Sequence, residues 1–186
     1  EVRQIAIMFA DIREFTAISE HMKPQDVLGV LNDCLTVLSQ KIDEHKGVID
    51  KYVGDEIMAF FGAPIHMENP ALQSILCSIA MMRALEEWNR FRASRGEVEL
   101  KIGIGLHIGE VIAGNMGAEN HLNYTILGHN VNLTSRLCDY AKEMEILITE
   151  EKLNAPGVAQ AIEVEQMPDA TFKGISEPVK IYKIKY

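Results

Sequence analysis

Apolar residues follow two different rhythms along the chain. Residues 3–10 contain an unbroken apolar run from Ile5 to Ala10, which predicts a strand buried on both faces. A short helical segment opens after Asp11, around Thr16 and Ser19. In residues 24–45 the period changes to that of a helix, with Val27, Leu28, Leu31, Leu35, Leu38 and Ile42 in register and Lys46-Gly47 as its stop. Residues 48–52 and 57–61 read as two strands joined by Gly54-Asp55. Asn69-Pro70 opens a second long helix, carried by Leu72, Ile75, Leu76, Ile79, Met82 and Leu85 toward Phe91. Residues 100–108 and 111–113 form a further strand pair, followed by a polar stretch at 115–123. A helix at 130–141, a strand at 146–149 and β structure at 162–186, turning at Lys173-Gly174, complete the chain. The order βααββαββαβ predicts an α+β sandwich with helices on one side of a mixed sheet.

Length and composition narrow the picture. A chain of 186 residues can bury the core of one domain, and no repeat, linker or low-complexity tract divides it. Residues 1–186 are therefore expected to be a single domain. The abrupt start in a strand suggests that it is cut from a longer regulated chain. A net charge of -9 argues against a nucleic-acid binder. No apolar stretch reaches membrane-spanning length, and no signal peptide is visible. Cys34, Cys77 and Cys138 each sit among apolar helical neighbours and read as buried free thiols, which suits a reducing, cytoplasmic compartment.

Candidate chemistry begins with Asp11 and Asp55, each at the end of an apolar strand-like run. Either alone also reads as an ordinary turn aspartate. Together, carboxylates at strand ends are suited to hard divalent cations and their phosphate partners. Backbone amides at the helix opening near Phe15 and Thr16 could cradle phosphate oxygens. Asn132 and Arg136 lie four apart on one helical face, where an amide can orient a hydroxyl and a guanidinium can grip phosphate. Lys51, Thr125 and Lys173 are unremarkable singly. His107 reads as a satisfied strand histidine. No Walker lysine loop, dinucleotide fingerprint or nucleophile elbow is present.

Three segments carry a resemblance as a set: Phe9-Ala10-Asp11-Ile12-Arg13-Glu14-Phe15-Thr16, residues 50–62 around Lys51 and Asp55, and residues 124–137 from Tyr124-Thr125 through Asn132 to Arg136. In order, and over essentially the whole chain, they resemble class III nucleotidyl cyclase catalytic domains, in the subgroup with Thr at position 125 (class IIIb). The resemblance implies a ferredoxin-like, palm-type sandwich: a mixed, mostly antiparallel sheet with helices packed on it, assembled as a head-to-tail homodimer with shared active sites. It implies that Asp11, Asp55 and the Ile12 carbonyl hold two divalent cations, Mg²⁺ or Mn²⁺. Lys51 and Thr125 match the purine-reading pair, Asn132 the ribose-orienting residue and Arg136 the residue that stabilises the transition state. Lys173 matches a polyphosphate contact, and Phe15 and Thr16 belong to the phosphate-binding segment.

The implied activity is an adenylate cyclase: ATP to 3′,5′-cyclic AMP and pyrophosphate. Thr125 with Lys51 favours ATP, whereas guanylate-making relatives usually carry Glu and Cys-type residues there. The subgroup also implies stimulation by bicarbonate. The alternatives are a guanylate cyclase acting on GTP, and a nucleotide-binding regulatory module without turnover. A diguanylate cyclase is disfavoured, because Val53 stands where its signature needs glycine and Ile57 where it needs Phe.

Overall fold

β1 (Val2–Ile12) lies inside the sheet because nearly every residue from Ile5 onward is apolar and can be covered on both faces. It is flanked by β3 (Glu56–Phe61) and β4 (Ile102–Ala118), both antiparallel to it. The computed structural model describes residues 1–186. Its remaining elements are α1 (Phe15–Glu20), α2 (Pro24–Glu44), β2 (Val48–Val53), α3 (Pro70–Ser94), β5 (His121–Leu127), α4 (His129–Tyr140), β6 (Ile146–Thr149), α5 (Glu150–Leu153), β7 (Glu163–Gln166) and β8 (Ile181–Lys185). The eight strands form one sheet in the order β2-β3-β1-β4-β6-β8-β7, with β5 paired to β4. Only β4 and β6 run parallel, so the sheet is mixed and mostly antiparallel.

The alternation along β1 separates two cores. Ala6, Met8, Ala10 and Ile12 face α2 and α3, against Cys34, Leu38, Ile42, Ile75 and Met81. Ile5, Ile7 and Phe9 face the other way, in a cluster that includes Cys138 of α4. Leu133, Leu137 and Ala141 extend that second layer over Leu147 and Ile181. Helices therefore cover both faces of the sheet, not the one side expected from the pattern. The reason is that each inner strand presents two apolar faces, and each face needs its own cover.

One further expectation is corrected, and two segments gain detail. Residues 100–108 and 111–113 do not form a strand pair: β4 runs unbroken for 17 residues, because β1 pairs with it continuously from Ile102 to Ile112. The polar stretch at 115–123 is the tip of the β4–β5 hairpin, with Ala118 opposite His121. Only the second half of α2 is core: Cys34, Leu38 and Ile42 are buried, while Leu28 is 64% exposed. The stop after α2 does lie at Lys46-Gly47, although Lys46 takes the left-handed turn (φ 61°). Gly47 is kept small instead by the Phe61 ring, 2.7 Å from where its Cβ would stand. α5 gave no periodic signal in the sequence, being a single turn capped by Thr149. The three cysteines are free and buried, as expected.

Candidate active site

Two strand ends and a tight turn bring the first carboxylates together. Asp11 sits opposite Glu56 on one side and Gly103 on the other. Gly54, at φ 61°, lets β2 turn into β3 within two residues. That turn lays Asp55 beside β1, where its carbonyl accepts from the Ile12 amide at 3.5 Å. Asp139 of α4 joins them, and carboxylate oxygens of Asp11, Glu56 and Asp139 lie within 4.8 Å of one another. Glu56 and Asp139 were missed in the sequence: Glu56 hides beside Asp55 in a motif, and Asp139 arrives only through packing of α4.

The electrostatics of this cluster are strained. Burial, then the negative charge of Asp55, pushes Asp11 up to about 6, with Arg13 opposing. Glu56 is pushed up to about 7 by burial, then by Asp11, Asp139 and Asp55. Asp11 Oδ2 lies 3.5 Å from the Arg13 guanidinium, but Oδ1 is buried with no hydrogen-bond partner. An unpartnered buried carboxylate oxygen is costly, and a cluster of oxygen donors around it suits a hard divalent cation. The residues present therefore fit the metals that the sequence motifs imply.

Arg13 links this cluster to α4. Its Nη1 donates to the carbonyls of Ala141 (2.7 Å) and Cys138 (3.1 Å), at the negative end of the helix dipole. Close packing completes the join: a Cβ on Gly105 would stand 2.5 Å from the Cys138 amide nitrogen. The inward side of α4 is Leu133, Thr134, Leu137 and Cys138. Asn132 and Arg136 lie on its outer side, and neither side chain has an ion-pair or hydrogen-bond partner in the chain. Lys173 is exposed in a turn whose neighbour Phe172 packs edge-on against Tyr140 of α4, 5.6 Å between centroids.

A second meeting point lies between β2 and β5. Ile49 pairs with Ala59 and Lys51 with Met58, which leaves Asp50 as the extra residue of a bulge. The Thr125 hydroxyl, otherwise 8% exposed, donates to Asp50 Oδ2. Thr125 is thus joined to the residue that precedes Lys51, while Lys51 itself is exposed. Phe15 is partly packed on the core, while Thr16 is exposed in the first turn of α1. His107 is a satisfied histidine, bonded to Thr149 (2.6 Å) and Asn130 (2.8 Å).

The model of the adenylate and guanylate cyclase catalytic domain matches residues 1–186, and the chain belongs to that family. An adenylate cyclase of Anabaena cylindrica is 33% identical over 98% of this chain. The chain spans only 37% of that relative's length. Among solved structures, the adenylyl cyclase CyaB of P. aeruginosa superposes with a TM-score of 0.94 at 32% identity, covering 100% of this chain and 95% of that one. The guanylyl cyclase Cya2 superposes at 0.92 with 35% identity, covering 99% and 92%. The two neighbours match almost equally well and differ in the base their names imply. Overall likeness therefore does not choose between ATP and GTP, and the choice has to rest on the site.

Proposed function

We propose that this domain converts ATP to 3′,5′-cyclic AMP and pyrophosphate, at sites shared between two copies arranged head to tail. One observation carries the reading. The chain holds a carboxylate cluster with an orphaned buried oxygen, and on the exposed face of α4 an Asn132 and an Arg136 without partners in the chain. In the head-to-tail arrangement a second copy would bring its own Asn132 and Arg136 to this carboxylate cluster, and the converse at the second site. The exposed apolar side chains of the two hairpins, Tyr52 and Val53, Met116 and Leu122, give such a copy something to cover.

In this reading the ribose 3′ oxygen forms a bond to the α-phosphorus as the bond to the bridging oxygen breaks. The 3′ hydroxyl proton leaves to solvent, and pyrophosphate is released. Asp11, Asp55 and the Ile12 carbonyl would hold Mg²⁺ or Mn²⁺, which when bound acidify the hydroxyl and neutralise the triphosphate. Asn132 orients the ribose. Arg136 offsets charge growing on the α-phosphoryl oxygens, the kind of preorganised donor that carries much of phosphoryl-transfer catalysis. Lys173 and the amides near Phe15 and Thr16 bind the polyphosphate. Lys51 donates to a ring nitrogen of the base, and Thr125 accepts from the adenine amino group.

The test is product analysis with ATP and GTP in the presence of Mn²⁺. Cyclic AMP in excess over cyclic GTP is expected, and absence of both removes the reading. Asp55→Asn and Arg136→Ala are each expected to lower activity at least ~100-fold, and their mixture to regain part of it, because one site of the mixed dimer is intact. No recovery on mixing would exclude shared sites.

A further inference from the structure

We propose that Asp50 sets the base preference by holding the Thr125 proton, which leaves the Thr125 oxygen as an acceptor only. The proposal rests on the reading that Thr125 and Lys51 face the base.

Hydrogen-bond polarity decides the matter. A threonine hydroxyl owns one proton and two lone pairs, so facing a free ligand it can donate or accept. A carboxylate only accepts. The bond from Thr125 Oγ1 to Asp50 Oδ2 therefore commits the proton, and near-complete burial of Thr125 keeps water from exchanging with it. What remains to a ligand is a lone pair. The ammonium of Lys51, the residue after Asp50, can only donate. An acceptor and a donor side by side complement adenine, which offers an amino donor at position 6 and a bare ring nitrogen at position 1. Guanine presents a carbonyl and an N–H at those positions and mismatches at both.

The backbone explains how Asp50 and Lys51 can serve one place. In a regular strand, successive residues point to opposite faces of the sheet. Here the bulge inserts Asp50 as an unpaired residue and turns its carboxylate onto Thr125. Across the β4–β5 ladder from Thr125 stands Gly114, and a Cβ there would meet nothing within 4 Å. The ladder position facing Thr125 is thus held by a residue with no side chain and is open. Nothing else in the chain fixes the rotor of this hydroxyl: Asp50 is its one recorded partner. Asp50 is a positioning residue in this account, acting on the base through Thr125.

The decisive measurement is kcat/KM for ATP and for GTP, on the wild-type chain and on Thr125→Ala, Asp50→Asn and Asp50→Glu. In Asp50→Asn the new side-chain amide can donate to the Thr125 oxygen and release the hydroxyl proton toward a 6-carbonyl. That substitution is therefore expected to lower the ATP-to-GTP ratio about tenfold or more, the scale of one mispaired hydrogen bond. Asp50→Glu, which keeps the acceptor, is expected to hold the preference for ATP. Purine riboside triphosphate, which lacks any group at position 6, supplies a readout that a loss of folding would not mimic: its disadvantage against ATP should disappear in Asp50→Asn. An unchanged ratio in Asp50→Asn, with a changed one in Thr125→Ala, overturns the role of Asp50 and leaves base reading by Thr125 intact. An unchanged ratio in Thr125→Ala overturns the base-reading assignment itself. Where turnover is too slow to measure, the excess melting shift of ATP over GTP reads the same preference. Its persistence in Asp50→Asn counts against the proposal.

Discussion

Asp11 holds one oxygen toward Arg13 and leaves the other buried and unpartnered, beside Glu56 and Asp139. Its ordinary value of 3.8 rises to about 6, and that of Glu56 from 4.5 to about 7. A carboxylate raised on folding binds its proton more tightly in the native state, so these two groups weaken the metal-free protein as pH climbs from about 4 to 7. His107 and Lys152 act in the opposite sense: burial lowers both, and they weaken the fold as pH falls below their unfolded values of 6.5 and 10.5. The metal-induced difference isolates the cluster. The melting shift given by Mn²⁺ is expected to be larger at about pH 8 than at about pH 6, with affinity changing up to about tenfold per pH unit for each proton displaced. It should be nearly absent in Asp11→Asn; an equal shift at both pH values would mean that the cation binds elsewhere. At this scale the sequence showed Asp11 and Asp55 because each closes an apolar run, which is a local signal. It hid Asp139, Glu56 and Asp50, whose neighbours are fixed only by α4 packing, by strand register and by a bulge.

α4 is placed by contacts that tolerate little change. Arg13 grips the carbonyls of its last turn, and Gly105 lets its backbone lie directly on β4. Gly105→Ala puts a methyl 2.5 Å from the Cys138 nitrogen, well inside ordinary contact, so the helix must lift. Destabilisation of about 1–3 kcal/mol is expected by urea titration. Because α4 carries Asn132 and Arg136, kcat should fall further than stability explains, by about 100-fold for a shift on the order of 1 Å. Wild-type kcat in a folded Gly105→Ala protein would show that α4 does not deliver the catalytic groups. Helices with a clear period and the hairpin with a Gly-Asp turn are legible in the sequence. β4 was not: its Gly109-Glu110 step reads locally as a break, and only pairing with β1 keeps it extended. The second helical layer was likewise invisible, because an apolar run shows that a strand is covered twice but not by what.

Seen whole, the chain offers a sheet closed by helices on both faces and two hairpins with apolar tips in the open. β4 spans about 55 Å, but β1 backs it only as far as Ile112. Beyond that point β4 and β5 form a two-stranded ribbon ending in exposed Met116 and Leu122. Such a ribbon is marginal in water without a third layer. In the proposed dimer the second copy provides it, so amide hydrogens of residues 115–123 are expected to exchange at least ~10-fold more slowly at a protein concentration that favours dimers than at high dilution. Exchange that ignores concentration would place the contact elsewhere. The ribbon also has a consequence for the order in which the molecule is made. β1 and its neighbours can assemble in a newly synthesised copy on their own, while the ribbon's tip around Met116 and Leu122 stays uncovered. In the proposed dimer the last step of folding and the first step of pairing would be a single event, with a solitary copy folded at the centre and incomplete at the rim.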